Sequence, residues 1–281
     1  MFPLLVIASL LCADSVPQIA SQAQGRVGAA AAVIDGKTVL EIHSHERFPM
    51  QSVYKLPIGM AVLAQVDRGT LHLDQSVHVD KSEYVSKGQK SPLRDANPNG
   101  ADVSLSELLR LSVLESDGTA SDVLLRVIGG PPAAMKFLAT IGVKDVIIRD
   151  TEMRLGHDNS AQYRNWATPD GAISLLRAVQ ESQGLSAASH SLLMKFLTET
   201  TTFPQRIKGL LPPGTPVAHK TGSSGARDGI VAATNDIGII TLPDGRHLAI
   251  AVFVSDSKAD DDTRDRVIAR IARDAWDRAV Q

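Results

Sequence analysis

Ser52 and Lys55 stand three residues apart in the run Ser52-Val53-Tyr54-Lys55. On a helix, residues three apart share a face, so the Lys55 amine can reach the Ser52 hydroxyl. A serine hydroxyl is a weak nucleophile unless a neighbouring base takes its proton, and a helix N-terminus favours its anionic form. The pair therefore indicates nucleophilic catalysis by Ser52, with an ordinary helix N-cap as the alternative role.

Two further motifs follow this pair along the chain. Ser116-Asp117-Gly118 comes after a helical pattern at residues 104–114, and His219-Lys220-Thr221-Gly222 ends a run typical of a strand. Ser-x-x-Lys, Ser-Asp-(Asn or Gly) and Lys-Thr-Gly, in this order, form the motif set of serine β-lactamases and penicillin-binding proteins. Isolated copies without this order occur at Ser255 to Lys258, Ser121-Asp122 and Lys37-Thr38.

The chain resembles class A serine β-lactamases over essentially its whole length after the N-terminal segment, and most closely the PER/VEB-like branch. Further similarity lies in Arg47-Phe48-Pro49-Met50, residues 163–169 (YRNWATP) and residues 232–236 (AATND). The resemblance implies hydrolysis of the β-lactam amide bond of penicillin- and cephalosporin-type antibiotics through a serine acyl-enzyme, and hence antibiotic resistance. It implies no cofactor.

The resemblance also assigns roles to the residues of the three motifs. It makes Ser52 the acylated nucleophile and Lys55 its proton-transfer partner, while Ser116 relays a proton to the departing lactam nitrogen. Lys220 is implied to be catalytic as well.

On the substrate side, the resemblance implies that the carboxylate is held by Lys220, Thr221 and Ser223, on a strand edge that includes Gly222. The oxyanion hole would be formed by the backbone N–H groups of Ser52 and Ser223.

Glu152 separates enzymes that hydrolyse their acyl-enzyme from those that stay acylated. By resemblance, class A enzymes use a glutamate on a middle loop to activate water, whereas penicillin-binding proteins become trapped. Glu152 lies in the expected segment, and its spacing from Gln162-Tyr163 fits the PER-type loop. Asp150 is the alternative candidate for this role, but it is an aspartate and its position along the loop does not match that of the family's glutamate.

Around this loop the sequence departs from the family pattern. Gly156 stands where an asparagine normally holds the water, so backbone or solvent is expected to replace that ligand. Gly118 replaces a common asparagine and removes an amide that would contact the substrate. The arginine–aspartate bridge that commonly ties the loop is expected to be replaced by Asp150 and Asn165.

Two other differences concern subgroup and substrate binding. Gln51 and Ser224 stand where disulfide-bearing carbapenemases carry cysteines, which excludes that subgroup. No arginine that assists carboxylate binding is obvious; Arg227 and Arg264 are candidates, each predicted to be a surface charge.

Strand patterns lie at both ends of the chain, with helical patterns between them. Residues 27–43 and 231–255 each contain two apolar runs around a turn, at Asp35-Gly36 and Pro243-Asp244-Gly245. Helix starts are indicated by a capping box of Ser104 and Glu107, by Pro131-Pro132 and by Thr168-Pro169-Asp170, and residues 262–279 read as an amphipathic helix.

This order predicts an α/β fold of the α+β type: a five-stranded antiparallel sheet flanked by helices, with an inserted all-helical lobe. Residues 15–281 are expected to form a single β-lactamase-like catalytic domain. Its α/β lobe would comprise residues 15–51 and 212–281 and its helical lobe residues 52–211, with the site in the cleft between them.

Residues 1–14 are predicted to be a signal peptide, and the protein periplasmic or secreted. The apolar run Phe2 to Ala13 has the length of a signal-peptide core and is too short to span a bilayer. No basic residue precedes it, and a first buried helix or strand is the alternative. Cleavage would remove Cys12, the one cysteine of the chain.

Composition is that of a globular protein, with 281 residues, 43% hydrophobic and 21% charged. A net charge of −2 and 4% aromatic residues argue against nucleic-acid binding. We expect a monomer whose partner is a small-molecule β-lactam, with no nucleic acid and, in the mature form, no membrane.

The histidines are expected to hold no metal. His43 and His45 would share a strand face, but no acidic or cysteine partner stands at ligand spacing. These two and the scattered His72, His78, His157 and His219 are predicted to lie at the surface or to support neighbouring side chains.

Two other functions fit the same motifs: a penicillin-binding D-alanyl-D-alanine carboxypeptidase, and a weakly active or silent β-lactam-binding or sensor domain. Glu152 argues against both.

Overall fold

The computed structural model describes residues 14–281. The predicted signal peptide, residues 1–14 with Cys12, lies outside this range except for Asp14, and the division into signal peptide and catalytic domain stays a prediction. Within the described range, no helix combines the length and apolar character needed to cross a bilayer.

The strands of residues 14–281 are, in chain order, β1 (Arg26–Val33), β2 (Thr38–Ile42), β3 (Phe48–Pro49), β4 (Ser76–Val79), β5 (Ala101–Ser104), β6 (Val146–Ile147), β7 (Trp166–Ala167), β8 (Val217–Ser223), β9 (Ala226–Arg227), β10 (Ile230–Val231), β11 (Thr234–Thr241) and β12 (His247–Ser255). The α-helices are α1 (Val16–Ser21), α2 (Lys55–Asp67), α3 (Pro92–Ala96), α4 (Leu105–Val113), α5 (Gly118–Ile128), α6 (Pro131–Thr140), α7 (Glu152–His157), α8 (Pro169–Gln180), α9 (Ala187–Glu199) and α10 (Asp261–Val280). Single turns of 3-10 helix lie at Gln51–Tyr54, Lys81–Glu83, Asn159–Tyr163 and Ile207–Leu210.

A five-stranded sheet in the order β2-β1-β12-β11-β8 forms the centre of the fold. All of its neighbouring strands are antiparallel. Both predicted hairpins are present, as β1–β2 and β11–β12, because the turn residues separate two apolar runs in each case. The predicted five-stranded antiparallel sheet flanked by helices is confirmed.

Apolar residues cover both faces of this sheet. Successive residues of a strand point to opposite faces, so Ala29 and Ala31 of β1 pack on one side and Ala30 and Ala32 on the other. Helices α1 and α10 cover the first face. On the second face, one hydrophobic cluster continues from the sheet into helices α2, α4, α5 and α8.

The helices start close to their predicted signals. Thr168 accepts the backbone N–H of Gly171 at the start of α8, and α6 begins at Pro131. Ser104 accepts the N–H of Glu107, but the predicted capping box is wrong in its second half. The Glu107 carboxylate pairs with Arg110, one turn further along the helix, instead of returning to the Ser104 backbone.

Candidate active site

The nucleophile candidate Ser52 lies in the 3-10 turn Gln51–Tyr54 that leads into α2. The N-cap alternative for Ser52 is wrong, since the turn and the helix begin after Met50 and Tyr54. Ser52 faces a cavity of about 480 Å³. Of the other predicted site residues, Ser116, Glu152, Thr221 and Ser223 line the same cavity.

Gly222 allows strand β8 to approach the Ser52 turn closely. A Cβ at Gly222 would lie 2.3 Å from the Met50 carbonyl oxygen and 3.2 Å from the Ser52 backbone nitrogen. The Asn235 side chain, on the neighbouring strand, donates to the same Met50 carbonyl at 3.1 Å. The strand edge with Ser223 is therefore held against the backbone of the nucleophile turn.

Lys55 is buried below the cavity, with 1% of its surface exposed. Its ammonium nitrogen donates to the carbonyl oxygen of Ser116 at 2.8 Å and lies 3.6 Å from Glu152 Oε2. The Lys55 side chain therefore brings together Ser116 and Glu152, which are distant from it in the sequence.

Ser116 connects the two lysines. Its backbone has a φ of 64°, a left-handed conformation uncommon for a residue with a side chain, and such strain is often found at functional sites. Lys220 Nζ donates to its hydroxyl at 2.9 Å. Burial, and next the charge of Lys55, lower the pKa of Lys220 well below its usual value.

Glu152 is the first residue of α7, and only 9% of its surface is exposed. The Tyr54 hydroxyl donates to Glu152 Oε2 at 2.6 Å. Burial, with a further contribution from the charge of Glu152, raises the pKa of Tyr54 well above its usual value, so this hydroxyl keeps its proton. A buried donor thus fixes one oxygen of the carboxylate.

Asp122 holds the start of α7 from below. Its two carboxylate oxygens accept the backbone N–H groups of Glu152 and Met153. Burial raises the pKa of Asp122 to about 7. In the sequence this residue belonged to an isolated Ser-Asp pair, and no local pattern indicated its contact with Glu152, 30 residues away.

The loop that carries Glu152 is tied by an arginine–aspartate bridge, contrary to the prediction. Arg164 forms a two-pronged ion pair with Asp150, at 2.7 and 3.0 Å. Asn165 supports it by bonding the backbone of Arg149 and Asp150. The predicted partners Asp150 and Asn165 are hydrogen-bonded, but the ion pair with Asp150 is made by Arg164. The carboxylate of Asp150 is thus paired with Arg164, whereas Glu152 is among the residues that line the cavity.

Of the two arginines considered for carboxylate binding, one is at the surface as predicted and the other is not. Arg227 is exposed on β9, as predicted. Arg264 was predicted to be a surface charge, and this is wrong: it is 3% exposed and its guanidinium bonds Thr234 at 2.8 Å inside the fold.

A third arginine, Arg206, lies beside the substrate-binding strand and was missed by the sequence reasoning. It is buried, donates to Ser223 Oγ at 2.8 Å and pairs with Asp265 at 2.6 Å. Its guanidinium also stacks 3.9 Å from the ring centre of Phe203. The partners are distant along the chain, so no spacing in the sequence could have revealed them.

Among residues 14–281, no group of three or more histidine, cysteine, aspartate or glutamate side chains could hold a metal ion. His43 bonds the Val27 carbonyl, and His45 pairs with Asp170. His219 is buried beside Lys220, with Nδ1 2.9 Å from Asp236 Oδ1.

A model of the β-lactamase enzyme family matches residues 12–279. The chain belongs to this family. It is 40% identical to the extended-spectrum β-lactamase PER-1 of Pseudomonas aeruginosa over 95% of this chain and 87% of that protein. It is also 40% identical to β-lactamase VEB-1 of Pseudomonas aeruginosa, over 89% of this chain and 84% of the relative.

Solved structures agree with the fold of this β-lactamase. A β-lactamase from Chitinophaga pinensis superimposes with a TM-score of 0.90 at 44% identity, over 94% of this chain and 97% of that one. TLA-1 extended-spectrum β-lactamase gives 0.91 at 42% identity, over 95% and 97%. The resemblance to class A enzymes of the PER/VEB-like branch is confirmed, and so is the predicted activity, hydrolysis of β-lactams with antibiotic resistance as its consequence.

Proposed function

We propose that this β-lactamase acts through an acyl-enzyme on Ser52, with Glu152 as the base for its hydrolysis. The observation that carries the proposal is the meeting of Glu152 and Lys55, 3.6 Å apart, at the cavity that Ser52 faces. Hydrolysis needs a nucleophile and a water-activating group that serve the same carbonyl carbon, and this arrangement provides both.

In the first half-reaction, Lys55 gives its extra proton to solvent and, as a neutral amine, takes the proton of Ser52 while Ser52 Oγ attacks the lactam carbonyl carbon. The carbonyl oxygen becomes an oxyanion, which the backbone N–H groups of Ser52 and Ser223 stabilise. The close approach of β8 to the Ser52 backbone supports this pairing of donors. The lactam C–N bond then breaks and the ester remains on Ser52.

Ser116 delivers the proton that the departing lactam nitrogen needs. Its hydroxyl accepts a hydrogen bond from Lys220, which replaces the proton that Ser116 gives up, and its backbone carbonyl is held by Lys55. The lowered pKa of Lys220 makes proton exchange with the Ser116 hydroxyl easier than it would be for an exposed lysine.

The substrate carboxylate binds at Lys220, Thr221 and Ser223 on β8, beside Gly222. Arg206 holds the Ser223 hydroxyl from behind through a hydrogen bond, while its own charge is paired with Asp265. Two opposite charges attract strongly where water is excluded, so a substrate that carries a carboxylate is favoured here.

In the second half-reaction, Glu152 takes a proton from water and passes it to solvent, while the water oxygen attacks the ester carbon. Ser52 Oγ then leaves with the proton that Lys55 holds, which releases the opened product and restores the serine. A penicillin-binding carboxypeptidase or a silent sensor domain would not need a buried carboxylate beside Lys55. We further propose that the enzyme acts as a monomer on a small-molecule β-lactam, away from the membrane, in the periplasm or outside the cell.

The test is mass spectrometry of acyl adducts after mixing with a good penicillin. Ser52→Ala should form no adduct. Glu152→Ala should form the adduct on Ser52 and retain it, because a positioned base contributes on the order of 10² to 10⁴ in rate. Glu181→Ala, which changes an exposed glutamate, should clear the adduct as fast as the wild type.

Two outcomes would overturn the proposal. Undiminished labelling of Ser52→Ala would move the nucleophile elsewhere. Clearance of the adduct by Glu152→Ala at the wild-type rate would mean that another group activates the water.

A further inference from the structure

Gln89 reaches across the cavity wall to the helix that carries Glu152. It lies in the segment between the 3-10 turn Lys81–Glu83 and α3. Its side-chain Nε2 donates to the backbone carbonyl of Glu152 at 2.5 Å. Its Oε1 accepts from the backbone N–H of Ser86 at 3.2 Å and from the Ser86 hydroxyl at 3.0 Å. The amide is therefore anchored at its oxygen and directed at Glu152 by its nitrogen.

The Gln89 amide fills the space that a side chain at position 156 would enter. A Cβ on Gly156 would lie 2.2 Å from Gln89 Oε1 and 2.7 Å from Gln89 Cδ. Gly156 is not among the residues with positive φ, so backbone conformation does not require a glycine here. A side chain at position 156 would therefore have to displace the amide of Gln89.

Gln89 and Asp122 hold Glu152 by opposite sides of its backbone. Asp122, on α5, accepts the N–H of Glu152 at 2.6 Å, while Gln89 donates to its carbonyl. Helix α7 has only six residues, and so short a helix is not stable without such outside contacts.

We propose that Gln89 is a positioning residue for Glu152, supplying from the facing segment the side-chain amide that Gly156 cannot provide. This rests on the proposed role of Glu152 as the base. In this proposal one side-chain amide beside Glu152 is needed, and an asparagine at position 156 could supply it once the Gln89 amide is moved or removed.

The first test separates positioning from folding. Gln89→Met keeps most of the side-chain volume and removes both hydrogen-bonding groups, and Gln89→Ala removes the volume as well. Both variants should deacylate about 10 to 100 times more slowly than wild type, since a misplacement of about 1 Å can cost as much as 10²-fold. Acylation of Ser52, measured by single-turnover mixing, should stay within about twofold because no Ser52 contact is changed. Gln183→Ala, at a glutamine that bonds exposed Glu181, is the control and should not alter either rate.

The second test is exchange of the amide. Gly156→Asn alone should be slow in deacylation because its side chain collides with Gln89. The double variant Gln89→Ala, Gly156→Asn should clear its adduct about tenfold faster than Gly156→Asn alone. It should also clear it faster than the double variant Gln89→Ala, Gly156→Ala, which relieves the same collision without supplying an amide.

These experiments distinguish failure of the Gln89 proposal from failure of the proposed role of Glu152. If Glu152→Ala retains the adduct while both Gln89 variants clear it at the wild-type rate, the role of Gln89 is refuted and the base remains. Additive losses in the double variant would equally refute it. If Glu152→Ala itself clears the adduct normally, the base assignment fails first.

Discussion

The backbone N–H of Glu152 donates a 2.6 Å hydrogen bond to the carboxylate of Asp122. Met153 donates to the second oxygen of the same carboxylate, so one aspartate caps the start of α7 from another helix. A negative group is favourable at a helix N-terminus, where N–H groups have no partner within the helix. The position of the proposed base therefore depends on a residue outside the three motifs.

Asp122 should make stability depend on pH. Burial raises its pKa to about 7 from the usual 3.8, so between these values the folded protein holds a proton that the unfolded chain has released. The stabilisation is present at low pH and is lost as the pH rises through about 7. We expect the free energy of unfolding in urea to fall between about pH 4 and about pH 7 in wild type, and to fall less in Asp122→Asn. Parallel pH profiles for the two proteins would contradict this.

Gly118→Ala should slow hydrolysis of the acyl-enzyme. A Cβ at this position would lie 2.7 Å from Glu152 Cγ, so the base must move. We expect deacylation, followed by mass spectrometry, to slow by about tenfold or more, with acylation affected less. Gly209→Ala, outside the cavity lining, is the matched control, because the nearest atom to its Cβ would lie at 3.4 Å. An unchanged deacylation rate in Gly118→Ala would show that Glu152 has room to adjust.

Arg206→Ala should destabilise the fold as well as weaken substrate binding. Removing the arginine leaves Asp265 charged and buried, and loss of one partner of such a pair costs about 3–5 kcal/mol. Urea unfolding should show this loss, and the double variant Arg206→Ala, Asp265→Ala should lose less than the sum of the two single variants. Strict additivity would mean that the pair does not act as a unit.

Activity should survive a strong chelator and a reductant. Residues 14–281 contain no group of side chains suited to a metal, and the one cysteine lies in the N-terminal segment. The measurement is the rate of hydrolysis of a chromogenic cephalosporin before and after treatment. Loss of activity that added zinc restores would point to a metal-dependent hydrolase.

The sequence predicted those features that depend on residues close together in the chain. Both hairpins and the helix start at Thr168 follow from short-range spacing, and the structure contains them. The resemblance to a family added Glu152, which no local pattern distinguishes from a solvated carboxylate.

The contacts that hold the site were not predictable, because their partners are distant in the chain. Asp122 with Glu152, Arg206 with Ser223 and Gln89 with Gly156 are each brought together by folding alone. The Asp150–Arg164 bridge was missed for a different reason: the family pattern drew attention to Asn165, and the adjacent arginine provides the charge.

The hydrophobic cluster that runs from the sheet into helices α2, α4, α5 and α8 joins these helices to the sheet in one packed core. Moving the helices away from the sheet would expose apolar surface, at roughly 25 cal/mol for each Å². Substrates of different shape must therefore be accommodated by the segments around the cavity, and not by closure of two halves. Such segments tolerate sequence change better than a packed core does. New substrate preferences can thus arise by substitution at the rim while the framework that aligns Ser52, Lys55 and Glu152 stays unchanged.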